Sequence, residues 1–88
     1  MVNMSVLEFA RKYPLPGFYI DVRGEYCLNL GRNLISIFNN EENGGLDICV
    51  DTISCDGFID ECLEWETPKT EKELMSMIRD FTNKYGKQ

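Results

Sequence analysis

The sequence predicts a two-layer α+β domain in the order α-β-β-β-β-β-α: an antiparallel sheet of about five strands, with an N-terminal and a C-terminal helix packed on one face. Three observations predict it. A Ser-x-x-Glu box and a Thr-x-x-Glu box, Ser5–Glu8 and Thr70–Glu73, each precede residues with helical apolar spacing. The chain between them alternates apolar and polar residues. That alternation is punctuated at Gly24, Gly31, Gly44-Gly45 and Asp56-Gly57, where a chain reversal is expected.

The first helix opens at Ser5, whose oxygen can accept the Glu8 amide proton. Met4 and Phe9 are spaced as a hydrophobic staple, and Val6, Phe9, Ala10 and Tyr13 form the apolar stripe. Tyr13-Pro14-Leu15-Pro16-Gly17 ends it after about two turns. A helix that short does not persist alone, so it must pack on something. Phe18, Ile20 and Val22 alternate with Tyr19, Asp21 and Arg23 and read as a strand ending in a tight turn at Arg23-Gly24-Glu25.

Tyr26, Leu28 and Leu30 give a second strand, and Gly31-Arg32 suits a two-residue type II′ loop. That loop sets Leu28 opposite Ile35 and Tyr26 opposite Ile37, in a third strand from Asn33 to Phe38. Residues 39–45 form a polar loop, and Leu46, Ile48 and Val50 begin a fourth strand. Asp56-Gly57, read as a two-residue type I′ loop, places Cys55 opposite Phe58, Val50 opposite Leu63 and Ile48 opposite Trp65. It also places Asp51 opposite Cys62 and Cys49 opposite Glu64. The Phe58/Cys62/Trp65 spacing also fits a helix, which is the competing reading of this segment.

Thr70 then caps the last helix. Leu74, Met77, Ile78, Phe81 and Tyr85 form its stripe, Lys84 and Lys87 suit its C-terminus, and Gly86 suits the C′ position. The helix-covered sheet face is expected to hold Phe18, Ile20, Val22, Tyr26, Leu28, Ile35, Ile37, Ile48, Val50, Leu63 and Trp65. The other face should meet water, with Tyr19, Asp21, Cys27, Asn29, Ser36, Asp47, Cys49, Asp51, Cys62 and Glu64 on it.

Eighty-eight residues make one domain, residues 1–88. Hydrophobic residues are 43 % of the chain, enough for one core despite a net charge of −6. No apolar run is long enough to span a membrane. Met1–Ser5 lacks the basic and apolar regions of a secretory signal, so a cytoplasmic location is expected. In that setting Cys27, Cys49, Cys55 and Cys62 are expected to be reduced thiols.

With no histidine and no CxxC pair, a zinc site is a poor reading, and no metal or cofactor is expected. Thr52 to Leu63 approaches a calcium-loop pattern, but Thr52 stands for the leading Asp and Leu63 for the bidentate Glu. The lack of histidine also removes the usual general base, so the chain is read as not an enzyme.

Charge carries the functional expectation. From Asn33 to Pro68 there are nine acids (Glu41, Glu42, Asp47, Asp51, Asp56, Asp60, Glu61, Glu64 and Glu66) and no Lys, Arg or His. A pI near 4.5 has the wrong sign for direct contact with nucleic acid. It suits a basic surface on another protein. Carboxylates on alternate strand residues lie roughly 6.5–7 Å apart, of the same order as phosphates along a nucleic-acid strand. An acidic sheet face could therefore occupy a protein channel built for DNA or RNA.

In size, acidity and lack of catalytic groups the chain resembles the inhibitors that phages and mobile elements use against nucleases. The resemblance is one of composition, without a shared motif. It implies a nucleic-acid mimic of anti-defence type. The expected partner-binding residues are Asp47, Asp51, Asp56, Asp60, Glu61, Glu64 and Glu66, with Tyr19, Phe38 and Phe58 as apolar anchors. The alternatives are a structural or regulatory subunit docking through apolar contacts, and a thiol- or metal-dependent domain. A free sheet edge also allows a homodimer.

Overall fold

A computed structural model describes residues 1–86; Lys87, expected to support the last helix, lies outside the described residues. Helix α1 (Val6–Lys12) is followed by β1 (Tyr19–Ile20), β2 (Tyr26–Leu30), β3 (Asn33–Asn39), β4 (Leu46–Ile53), β5 (Ile59–Glu66) and α2 (Glu71–Tyr85). The strands form one antiparallel sheet in the order β1-β2-β3-β4-β5, so each strand pairs with its neighbours in sequence.

The capping chemistry acts locally as expected at α1. Ser5 Oγ accepts from Glu8 N, and Glu8 returns a carboxylate oxygen to Ser5 N. Asn39, at the end of β3, brackets the same helix start by accepting from Val6 N and donating to Met4 O. At α2 the Thr70 half of the box forms, with Thr70 Oγ accepting from Glu73 N at 3.0 Å. Gly86, expected at C′, is the C-cap residue of this end and has right-handed backbone (φ −81°).

Both helices cover the same sheet face. Val6 and Phe9 from α1 and Leu74, Ile78 and Phe81 from α2 close over Tyr26, Ile35, Ile37, Ile48 and Val50 in one core. Tyr26 ties the post-helix segment to the sheet: its hydroxyl donates to Tyr13 O and accepts from Leu15 N, each at 2.8 Å. Glu71 joins the two helices by accepting from Lys12 Nζ and Tyr13 Oη, both at 2.7 Å.

The β2–β3 register is as expected, with Tyr26 opposite Ile37 and Leu28 opposite Ile35. Gly31 has positive φ and Arg32 does not, which is the signature of a type II′ loop. The segment Phe58–Trp65 forms strand from Ile59 onward.

Two edges depart from expectation. β1 keeps only Tyr19 and Ile20, both exposed, and Val22 is fully exposed rather than in the core. The reversal there takes five residues: Asp21 N donates to Glu25 O, Gly24 N donates to Asp21 O, and Gly24 has φ +79°. The β4–β5 turn repeats this construction, with Ser54 N to Phe58 O, Gly57 N to Ser54 O, and Gly57 at φ +87°. Both are three-residue loops closed by a left-handed glycine.

The longer loop at Asp56-Gly57 shifts the expected register. Ser54, not Cys55, faces Phe58. Two bulges in β5 shift it again, so Val50 faces Glu64, Cys49 faces Trp65 and Ile48 faces Glu66. Asp51 still faces Cys62. Trp65 therefore lies on the side away from the helices, and Glu64 on the helix side, the reverse of the expectation. Leu63 has no partner in the ladder and is 38 % exposed, so it too leaves the expected core.

Candidate functional site

The seven carboxylates expected to bind a partner fall into three groups. Asp47 and Asp51 lie on β4, on the side away from the helices, and both are buried. This corrects the expectation of a solvated acidic sheet face. The tip of the β1–β2 hairpin returns over that face: Arg23 and Glu25 line a recess of about 530 Å³ with Phe38 and Trp65. Cys27, Ser36 and Cys49 are buried beneath the same layer. Asp47 Oδ2 accepts from Trp65 Nε1 at 2.6 Å and from Asn40 Nδ2 at 2.8 Å, while Asp47 Oδ1 has no hydrogen-bond partner. Asp51 Oδ2 accepts from the Cys49 thiol at 3.5 Å. Neither carboxyl can reach a partner protein.

Glu64 forms the second group. It accepts from the Tyr85 hydroxyl and from Lys84 Nζ, the latter at 3.2 Å. The Tyr85 hydrogen bond, then Lys84, holds its carboxyl below the ordinary glutamate range. Glu64 thus anchors α2 to the edge of the sheet. Asp51 and Glu64, both expected on the solvated face, lie on opposite sides of the sheet.

The third group stays in solvent. Asp56 sits at the hairpin tip, where the Ser54 hydroxyl lowers its pKa. Asp60 occupies one β5 bulge, and Glu61 and Glu66 project from β5 on its helix side. All four are exposed, and none is ion-paired among the described residues. They follow one edge of the molecule, because β5 is an outer strand.

Beside them lies a groove of about 780 Å³ on the side away from the helices. Tyr19 and Val22 from the β1 side, Leu34 and Ile53 on the floor, and Phe58 and Ile59 from the β4–β5 hairpin line it. Val22, Phe58 (71 % exposed) and Ile59 (49 %) present apolar surface to water. Two of the expected anchors, Tyr19 and Phe58, thus share one concavity although they belong to opposite edges of the sheet. The third, Phe38, is half-buried edge-to-face on Trp65 at 5.2 Å. Val22 was expected on the helix-covered face, and Ile59 was given no binding role in the sequence reading. Their signal was the shared spacing of Asp21-x-x-Gly24 and Ser54-x-x-Gly57, which builds two similar protruding hairpin tips.

Cys27, Cys49 and Cys62 are poor nucleophiles in this setting. Burial pushes the Cys27 thiol up to about 11. Burial and the adjacent Asp51 charge raise Cys49 and Cys62. Asp21, Glu25 and Cys27 come within 4.8 Å of one another. Arg23 pairs with both acids, at 2.9 and 3.2 Å, so their carboxylates are engaged in an ion-pair network. No helix among the described residues is long and apolar enough to cross a membrane.

Comparison of the chain with protein-family models, with curated proteins and with solved structures finds no match.

Proposed function

We propose that the chain is a non-enzymatic binding protein whose acidic edge docks on a basic surface of another protein. In its most concrete form it is an inhibitor that covers the nucleic-acid-binding surface of a nuclease. One observation carries the reading: Asp56, Asp60, Glu61 and Glu66 are all exposed on one edge, without an ion-pair partner among the described residues. Exposed like charges along one edge set up a negative field that attracts Lys or Arg on a partner. The adjoining apolar rim at Phe58 and Ile59 supplies area that charge alone lacks.

The test is affinity capture at low salt with the wild type and with a triple variant, Asp60→Lys/Glu61→Lys/Glu66→Lys. The expected result is a captured protein that elutes with salt, is lost with the variant, and has its nucleic-acid binding or cleavage blocked by the wild type. Identical capture by both proteins would refute the reading.

The apolar groove favours a second reading, a regulatory subunit that docks through Val22, Phe58 and Ile59. Binding that is insensitive to salt but lost in Val22→Ser/Phe58→Ser would select it.

A further inference from the structure

β5 is an outer strand over all eight of its residues, and among the described residues its only ladder partner is β4. Among the described residues, its outward-facing backbone groups have no backbone partner. The strand contains no Pro, Lys or Arg, and its edge is interrupted only at the bulges of Asp60 and Leu63. Its two bulges sort its side chains. Unbroken alternation back from Glu66 would put Glu61 on the side away from the helices. The extra residue Leu63 instead brings Glu61, opposite Thr52, onto the same side as Glu64 and Glu66, and the extra residue Asp60 then turns Ile59 to the other side. Ile59, Cys62 and Trp65 take the other side, opposite Ile53, Asp51 and Cys49. The edge is acidic on one side and apolar on the other, with Ile59 and Trp65 (57 % exposed) both in water.

A strand added to this edge would extend both sides. A second copy of β5 would bring glutamates against glutamates, which disfavours self-pairing at neutral pH. A strand with Lys or Arg on one side and apolar residues on the other meets Glu61 and Glu66 with opposite charge, and Ile59 and Trp65 with apolar area. We infer that the outer edge of β5 is the docking site for an extended segment of a partner protein in which basic and apolar residues alternate, and that this segment joins the sheet as a sixth strand. The inference rests on the acidic-edge reading above and specifies its geometry: main-chain hydrogen bonds position the partner, and the glutamates select its charge.

Trp65 is the only tryptophan, so its emission reports occupancy of β5 directly. The probe is a capped six-residue peptide of alternating lysine and valine, the number of residues with which the bulged β5 pairs on its β4 side. Binding at low salt, a blue shift of Trp65 and slowed amide exchange in β5 are expected. N-methylating every other peptide amide, in each of the two phases, should weaken binding about tenfold in one phase only, because one edge of the added strand pairs. Glu61→Lys/Glu66→Lys should weaken the parent peptide by on the order of tenfold.

Equal binding by both N-methylated peptides, with the charge-reversal loss retained, would overturn strand addition and leave the acidic-edge reading intact. Failure of the peptide to bind, while low-salt capture still depends on the acids, would do the same. A dimer at neutral pH held by paired β5 strands would overturn the assignment of a basic occupant.

Discussion

The Trp65 indole Nε1 donates to Asp47 Oδ2 at 2.6 Å, joining a half-exposed ring on the outer strand to a fully buried carboxyl on its neighbour. The two residues are eighteen apart in sequence, and they are brought together because the bulged register turns Trp65 away from the helices. With Phe38 against the ring, this contact holds β5 to the sheet on that side, as Glu64, Tyr85 and Lys84 hold it on the other.

Trp65→Phe keeps the ring contact and removes the donor, leaving Asp47 with Asn40 alone. The expected loss is about 1–2 kcal/mol in urea unfolding with unchanged m-value, since a buried acceptor loses a hydrogen bond. Phe38→Leu in the Trp65→Phe background should be less than additive, because both changes loosen one cluster.

Glu64 sets part of the acid sensitivity. Its folded-state pKa lies below the ordinary 4.5, so its stabilisation is present above that value and disappears as pH falls through the folded value. Wild type should therefore lose stability faster than Glu64→Gln on acidification below about pH 5. Parallel stability–pH curves for the two proteins would contradict this assignment.

Gly24 and Gly57 close the two three-residue loops at φ +79° and +87°, and a Cβ at either position would meet nothing within 4 Å. The cost of Ala there comes from backbone conformation alone, about 1–2 kcal/mol at each site. Asn, which tolerates left-handed backbone, should recover part of it. Thermal unfolding of Gly57→Ala beside Gly57→Asn checks the order.

Alkylation should rank the thiols. Cys55, exposed on the hairpin tip, reacts first. Cys62 is exposed but its thiol is raised by burial and Asp51, so it follows more slowly. Cys27 and Cys49, buried and raised, react only as the protein unfolds. Mass spectrometry over a time course with iodoacetamide at mild alkaline pH reads this sequence, and modification of Cys49 before Cys62 would contradict it.

The candidate site was legible only in part. The unbroken acidic run placed Asp56, Asp60, Glu61 and Glu66 correctly as surface groups, because short acids at a turn and on an outer strand have nowhere else to go. It misplaced Asp47, Asp51 and Glu64. Their positions depend on how the Asp21–Glu25 hairpin lies across the sheet and on where α2 ends, and neither is written in local periodicity. The Asp56-Gly57 pair marks a turn but not its length. A type I′ loop needs positive φ at both residues, while only Gly57 has it, and one added loop residue reverses every side chain downstream until a bulge reverses it again.

Nearest-neighbour chemistry, read from the chain alone, determined the number and order of elements, the capped starts of both helices, the pairing of β2 with β3 and the acidic character of the last hairpin. These depend on a residue and those within a few positions of it. The tertiary structure alone decided which side of β5 faces the helices and which carboxyls stay in water. Those outcomes follow from two bulges and a folded-over hairpin, whose energies are set by contacts between segments distant in sequence.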